Sequence, residues 1–437
     1  MMFKKPVFTG SIDRVRNIDY ILDLIDEHKT FFGKYKVNKD YYLGNHKILY
    51  KTIKDISKPN NKIVTNLPEF VTSIRVGYFS GEPIVFNTEN EELDIKLNDI
   101  LEGADFNDVN TSLDEKASIY GHAFLMMWID EEGATKFSAE SPENCFIIYS
   151  NTLDKKPIAG VRYFEYQVEK DTITDIYLYL DNEIITIRKS GDKHQTIDTQ
   201  PNYFGGVPVI EFIENNSRKG CFEDAISIVD AIESVLSGSV NELEYFDNAY
   251  LHLKNLSATT NEDIQEMKNN RVLLTEDDGQ AEFLTKTIND SYIQNTLDRL
   301  TNDFHKLTKT PNLTDENFGN NTSGVSLKFK LFALEKSMAL KEQKWRRSLN
   351  MMLKLLINRL NMLGGNFNSK EVKLTFTRAL PTNQLEQSQM VSQLAGLVSN
   401  ETLIAQLDFI EKPKDELEKL TNEKQTNLDS YTFEDVV

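Results

Sequence analysis

The sequence predicts an α+β fold in which a hairpin-rich β segment interrupts an otherwise helical chain. Three observations carry that expectation. Between about residues 120 and 214, apolar and polar residues alternate with a period of two. On both sides of residues 257–288, apolar residues recur every three or four positions, as one face of a helix requires. From Val325 to Leu363 there is neither proline nor glycine, a stretch that helix rise makes about 58 Å long.

Taken in order, residues 13–43 read as helical, with Ile18, Ile21, Leu22 and Ile25 on one face and Gly44 as the stop. A helix is expected from Leu67 to Phe79, with Pro68 in its first turn, where a missing N–H costs little. The Ser80-Gly81-Glu82-Pro83 turn leads to a short strand, Ile84–Phe86. Strands are then expected at Ala123–Ile129, Cys145–Tyr149, Ile158–Val168, Thr172–Leu180, Glu183–Arg188 and Val207–Ile213. They are rich in Tyr, Ile, Val and Phe and punctuated by turn pairs such as Asp181-Asn182 and Ser190-Gly191.

After Cys221 a single apolar stripe, from Val229 and Ile232 through Leu243 to Tyr250 and Leu253, predicts a helix reaching Leu256. Seven acidic residues (Glu223, Asp224, Asp230, Glu233, Glu242, Glu244 and Asp247) accompany it against one lysine, Lys254. Residues 257–288 read as a small mixed insert: a polar helix near Asn261–Asn269, a strand Arg271–Thr275, an acidic turn, and a strand Ala281–Leu284. A second helix carries Ile293, Leu297, Leu300, Phe304 and Leu307 and ends at Pro311, which opens a polar loop. The long helix Val325–Leu363 follows, with nine basic residues (Lys328, Lys330, Lys336, Lys341, Lys344, Arg346, Arg347, Lys354 and Arg359) against Glu335 and Glu342. Gly364-Gly365 terminates it. A strand Val372–Thr377, short helices over Gln384–Phe409 and a charged, mobile tail from Glu411 complete the chain.

The 437 residues suffice for two or three compact domains, and 40% apolar with 27% charged residues is an ordinary core-forming balance. The longest apolar run, Ala123–Trp128, is strand-sized, so no membrane span or secretory leader is expected. Cys145 and Cys221 stand 76 positions apart without metal-ligand company, and they read as free thiols of a reducing compartment. The six histidines form no HExxH or similar cluster, so no structural zinc, and no other cofactor, is expected. A net charge of −19 is the wrong sign for a protein that grips phosphates.

Chemistry-bearing motifs are absent. No GxxxxGK[ST] loop cradles a nucleotide, and Asn320-Asn321-Thr322-Ser323-Gly324 lacks the required lysine and glycine spacing. No GxSxG elbow occurs. Acidic pairs such as Asp277-Asp278 leave a metal-dependent nuclease as a remote alternative. Acidic and basic long helices in one chain invite pairing between neighbouring copies, and a heterologous contact of that kind closes into a ring or runs on as a filament. The same charges can equally pair within one subunit or face water. An adaptor or scaffold that binds only protein partners through its long helix is the other alternative.

Four segments resemble the phage portal proteins of the long-tailed siphophage type. They are Tyr41-Tyr42-Leu43-Gly44-Asn45-His46-Lys47-Ile48-Leu49; Asn66 to Phe86, with Gly77-Tyr78-Phe79 and Gly81-Glu82-Pro83-Ile84; Ala117 to Trp128, with Tyr120-Gly121-His122-Ala123-Phe124; and Ser323-Gly324-Val325-Ser326-Leu327-Lys328-Phe329-Lys330. They occur in the family's order and span most of the chain.

The resemblance implies no catalytic residues and a ring of twelve subunits at a capsid vertex of the virion, assembled in the host cytoplasm. It also implies passage of double-stranded DNA in packaging and ejection, and docking of the terminase large subunit and later of a head-completion adaptor. Major capsid and scaffolding proteins would surround the ring, and no membrane is involved. Mapped onto this chain, 1–220 is the wing, 221–256 and 289–310 are the stem helices, and 257–288 is the clip. Residues 311–324 form the tunnel loop, 325–377 the spine helix with a returning wing strand, 378–410 a short crown, and 411–437 a mobile tail. The expected tunnel-loop residues are Asn312, Thr314, Asp315, Glu316, Asn317, Phe318, Asn320 and Asn321. The expected channel lining is Glu233, Glu242, Glu244 and Asp247, and the expected clip partner surface is Glu262, Asp263, Glu266, Glu276, Asp277 and Asp278. Twelve copies would bring roughly −230 charges around the DNA.

Overall fold

The computed structural model describes residues 5–55, 58–169, 171–246, 250–254, 260–270, 280–284, 290–313, 329–379, 384–407, 410 and 413–433. They form two compact units, one of Met1–Asn312 with Ala333–Arg378 and the other of Leu313–Phe332 with Ala379–Val437.

The first unit opens with β1 (Phe8–Gly10), α1 (Ile18–Lys29) and α2 (Phe32–Tyr42). The sequence pattern suggested one helix over 13–43. The break falls at Thr30, whose hydroxyl donates to the Glu27 carbonyl at 2.7 Å and so competes with the helix ladder. Helix α3 (Leu67–Ser80) and strand β2 (Val85–Asn87) follow as expected. Helices α4 (Glu91–Gly103) and α5 (Phe106–Tyr120) were not anticipated. Asn90 caps α4 by accepting from the Leu93 N–H at 3.2 Å, and Leu93, Leu97 and Leu101 bury one face.

The β segment is built of β3 (His122–Ile129), β4 (Thr135–Glu140), β5 (Cys145–Ser150), β6 (Pro157–Val168), β7 (Asp171–Tyr179), β8 (Glu183–Ser190), β9 (Lys193–Pro201) and β10 (Val209–Ile213). Six strands form one sheet in the order β1-β5-β6-β7-β8-β9, antiparallel except for the parallel β1–β5 pair. Strands β10-β3-β4 form a second sheet, and β13 (Lys373–Thr375) pairs with β2. The inner face of the large sheet, with Phe146, Ile148, Val161, Ile176 and Leu178, packs on Ile21, Ile25 and Tyr35 of the first two helices. That face alternates strictly, which is why period-two reading located its strands.

Helix α6 (Ile226–Phe246) ends earlier than its apolar stripe suggested. Tyr250–Lys254 is a strand, β11, paired antiparallel with β12 (Gln280–Leu284). Tyr-Leu-His-Leu-Lys satisfies both periodicities, and the strand partner decides between them. Between them lies α7 (Asn261–Asn270), and after them α8 (Asp290–Thr308). The expected strand Arg271–Thr275 lies outside the described residues. The spine helix α9 (Phe332–Met362) is ended by Gly364 at φ +102°; the expected first turn, 325–328, lies outside the described residues.

The second unit holds α10 (Gln384–Leu394), α11 (Asn400–Ile404) and α12 (Pro413–Phe433). Of the tail expected from Glu411, residues Pro413–Phe433 form the helix α12. It starts at a proline, carries Asp415 and Glu416 in its first turn, and packs on α11.

One glycine is indispensable to this path. Gly121 turns α5 into β3 at φ +91°, and a Cβ there would stand 2.3 Å from the Arg218 carbonyl carbon. Gly121→Ala is expected to cost about 1–3 kcal/mol from the backbone conformation alone, and more from the clash, read as a lowered urea midpoint.

Candidate functional site

Of the residues expected to act, Glu233, Glu242 and Glu244 lie on α6 and Glu262, Asp263 and Glu266 on α7, and the structure sorts them differently from the sequence. Glu233 does not face a channel. It is fully buried on α6, where its Oε1 accepts from His46 Nδ1 at 2.5 Å and from the Thr65 N–H at 3.0 Å. A carboxylate without solvent exposure cannot present charge to passing DNA, so its assignment to the lining is corrected. Glu242 is half-buried and Glu244 exposed on the same helix, while Asp247 lies outside the described residues.

The burial of Glu233 has a structural cause. Residues 61–65 run extended and antiparallel along α6. The Asn61 N–H donates to Asn241 Oδ1 at 2.7 Å, the Ile63 N–H to Ser237 Oγ at 3.0 Å, and the Thr65 N–H to Glu233. Two residues of extended chain advance about 6.6 Å and four of helix about 6.0 Å, so alternate N–H groups meet every fourth helical side chain. This strap is anchored by His46, whose Nε2–H donates to the Tyr41 carbonyl at 2.7 Å while its ring stacks on Tyr41. Burial disfavours the imidazolium, but the Glu233 hydrogen bond, the Tyr41 carbonyl and the Glu233 charge outweigh it and raise the His46 pKa. Tyr41 also donates to Asp230, one turn before Glu233 on α6.

The spine helix meets the rest of the unit through a buried set of four charges. Lys341, 1% exposed, pairs with Asp114 of α5 and Glu214, and donates to Ser118 Oγ at 3.2 Å. Arg75 of α3 donates to Glu214 at 2.6 Å and to the Thr308 carbonyl at the end of α8 at 3.0 Å. Ser80 donates to Asp114 at 2.8 Å. Burial alone would raise the Glu214 pKa, yet Lys341 and Arg75 pull it down to about 2. Asp114 goes the other way, because its burial outweighs Lys341.

A second set is centred on Glu211 of β10. It accepts two bonds from Arg218, at 2.6 and 2.7 Å, one from His122 Nδ1–H at 2.8 Å, and one from Tyr149 at 2.7 Å. Burial opposes the charge, but Arg218 and His122 keep the carboxyl below its usual range. Buried His122 has its own pKa lowered, so its Nε2 accepts from Tyr35 at 3.0 Å.

Lys341 was counted as one cation of a basic helix. The signal that it is internal lay in the apolar stripe, which steps from Met338 to Trp345 with a gap of seven. Position 341 fills that gap, so the lysine stands on the buried face. Trp345 beside it donates to Asn110 at 3.0 Å.

Of the expected clip surface, Glu262 and Asp263 are exposed on α7. Asp263 accepts from the Thr260 N–H and hydroxyl, both at 2.7 Å, and its own N–H donates to Thr260 Oγ1 at 3.3 Å, a reciprocal helix cap that lowers its pKa. The Glu266 side chain and Glu276, Asp277 and Asp278 lie outside the described residues. So do Thr314, Asp315, Glu316, Asn317, Phe318, Asn320 and Asn321 of the expected loop, while Asn312 is half-buried at its start. Among the described residues no group of three His, Cys, Asp or Glu side chains is placed to hold a metal, and no helix is long and apolar enough to cross a membrane. Cys145 and Cys221 are free thiols.

A family model described as phage portal protein, SPP1 Gp6-like, matches residues 21–429. The chain belongs to the phage portal protein family. Portal proteins are structural components and not enzymes. The chain is 26% identical over 420 residues to the portal protein of Clostridium phage phiCD119, covering 89% of this chain and 91% of that one. It is 24% identical over 391 residues to the portal protein of Bacillus phage SPP1, covering 84% and 77%. Among solved structures, the neck of a native gene transfer agent particle computed with C12 symmetry is similar at 13% identity and TM-score 0.48, over 78% of this chain and 89% of that one. An HK97 family phage portal protein from Corynebacterium diphtheriae is similar at 11% identity and TM-score 0.35, over 71% and 93%.

Two expectations follow from the portal chain's buried charges. Lys341→Met leaves two buried carboxylates short of a cation and should cost about 3–5 kcal/mol in urea unfolding. Acid should destabilise in two steps. Burial, followed by the His122 charge, holds His28 at about 3 against an ordinary 6.5, so between those values the unfolded chain binds the extra proton and stability is lost as pH falls below 6.5. Glu214 adds a further loss as pH falls from about 4.5 through 2. A pH series of urea midpoints checks both, and His28→Gln should flatten the first step.

Proposed function

We propose that copies of this portal chain close into a ring at one capsid vertex and form the channel for double-stranded DNA in packaging and ejection. The observation that carries this reading is the family match over residues 21–429. The ring would hold twelve copies and stand in the virion among major capsid proteins, after assembly with scaffolding proteins in the host cytoplasm. Its clip, with Glu262, Asp263, Glu266, Glu276, Asp277 and Asp278 as partner surface, would receive the terminase large subunit and then the head-completion adaptor.

Physical support for a channel comes from charge. Each copy brings −19, so a ring is strongly acidic around a duplex that carries one negative charge per about 1.7 Å. Such a lining repels and centres DNA instead of gripping it. With Glu233 internal, the lining role falls to Glu242, Glu244 and Asp247. The polar loop from Asn312 through Asn321, with Phe318 within it, would form the closest approach to DNA.

Light scattering or native mass spectrometry on the purified protein tests the ring, with a mass near twelve times 50.2 kDa expected. A discrete dimer would favour a non-ring adaptor instead. In a packaging assay, Glu242→Gln/Glu244→Gln/Asp247→Asn should slow DNA entry, whereas unchanged packaging would remove these residues from the lining.

A further inference from the structure

Two exposed helical faces of this chain match each other, and neither covers the other within one copy. On α9 the exposed residues Lys336, Leu340, Gln343, Arg347, Asn350 and Lys354 are spaced 4, 3, 4, 3, 4, which places them on one stripe. The stripe holds three cations and no carboxylate in a chain of net charge −19, and its Leu340 is 62% exposed. Beside Leu340 lies a recess of about 430 Å³ between α9 and the end of α8, bordered by Leu307, Lys309 and Lys344. Leu307 is itself 48% exposed, so the recess has two apolar lips over a polar floor that includes Glu214, Asn215 and Asp224, with Lys309 and Lys344 at its edge.

Helix α4 carries the converse pattern. Glu91, Asp99 and Glu102 are exposed along one side with Ile95, 61% exposed, among them, while Glu92 is paired with Lys96 of the same helix at 2.7 Å. This helix lies beside the opposite end of its own spine, where Asp99 and Ile100 share a recess with Leu356 and Leu360. Leu340 and Leu360 are 20 residues apart on α9, so helix rise separates the two places by about 30 Å. Within one copy Ile95 therefore cannot reach the recess beside Leu340, and both faces stay exposed.

We propose that the acidic stripe of α4 docks on the basic stripe of α9 in the next copy, with Ile95 entering the recess beside Leu340. This rests on the ring reading and names the faces that build the ring. The contact joins different surfaces of the two copies, so it is heterologous and repeats around a closed assembly. The apolar centre favours a protein occupant over DNA, because Leu340 and Leu307 offer nothing to a phosphate, whereas an apolar centre with a charged rim is the usual anatomy of a protein interface. The end of α6, with exposed Leu243 between Glu242 and Glu244, offers its charges over one turn only. The α9 cations span five turns, and α4 matches them over three.

The test is charge reversal on the full-length chain, with mass read by light scattering across a concentration series. Circular dichroism confirms the fold, since the altered positions are exposed. Lys336→Glu/Arg347→Glu and, separately, Glu91→Lys/Glu102→Lys should each raise the concentration at half-assembly roughly tenfold or more, because with Ile95 at Leu340 these positions match in spacing and like charges then face each other. The quadruple variant, with both polarities swapped, should assemble again. Ile95→Cys with Leu340→Cys should give an oxidised ladder between copies. If the unaltered chain assembles and both reversals assemble equally well, the interface is wrong and the ring reading stands. If the reversals spare assembly but weaken binding of a DNA duplex, the basic stripe belongs to DNA and the proposal falls. If the unaltered chain stays monomeric and the cysteine pair gives no cross-link, ring and interface fall together.

Discussion

The burial of Lys341 between Asp114 and Glu214 is the interaction on which the rest of the first unit depends. Two carboxylates from separate segments cannot share a dry site without a cation, and a lysine cannot be desolvated without carboxylates. Arg75 adds the fourth charge and ties in the end of α8 through the Thr308 carbonyl. Helices α3, α5, α8 and α9 and the segment leaving β10 are thereby held to one arrangement. A one-turn shift of the spine helix would carry Lys341 away from Asp114 and Glu214, leaving a buried ammonium unpaired and Glu214 with Arg75 alone.

Strand β10 is where the two buried charge sets come together. Glu211 gathers Arg218, His122 and Tyr149. Glu214 follows it by three residues and gathers Arg75 and Lys341. Ser348 of the spine also donates to the Glu211 carbonyl at 2.6 Å. The spine is therefore bound to the β region by an ion pair just past the end of the strand and by a side-chain bond to a carbonyl at its centre. The strap of residues 61–65 does for α6 what this set does for α9. It uses hydrogen bonds to Asn241, Ser237 and Glu233 where the spine uses ion pairs.

Elements rich in β-branched and aromatic residues between clear turns, and helices with a regular apolar stripe, were legible in the sequence. The strands from Cys145 to Ser190 bury one face against Ile21, Ile25 and Tyr35 and part of the other against Phe124 and Val209, and the stripes of α6 up to Phe246 and of α8 repeat regularly. Failures fell where a pattern was ambiguous or where a partner decided. Tyr250–Lys254 fits a helix stripe and a strand equally, and only β12 settles it. Helices α4 and α5 were passed over although Leu93, Leu97 and Leu101 repeat every fourth residue and Phe106, Leu113, Ala117 and Tyr120 are buried. Glu233 and Lys341 were read by charge alone, as surface groups, although both stand on the apolar stripes of their helices. A charged residue in a stripe position is a sign of a buried partner, and that partner, His46 or Asp114, is remote in sequence.

The same point changes the meaning of a basic spine. Its cations divide by environment into three kinds of work. Lys341 neutralises buried carboxylates. Arg346 bridges Glu342 and the Leu374 carbonyl, and Arg359 donates to the Gly133 carbonyl and Thr135 at the β3–β4 turn, so both fasten the helix to its neighbours. Arg347 and Lys354 stand outside, at helical spacing, on a face that no carboxylate of α9 shares. A strongly acidic chain that must gather copies of itself faces long-range repulsion, which grows with each copy added. A contact of the proposed kind, between the cationic stripe and a neighbour's acidic helix, would offset that repulsion locally, with the remaining negative charge left on surfaces the contact does not cover.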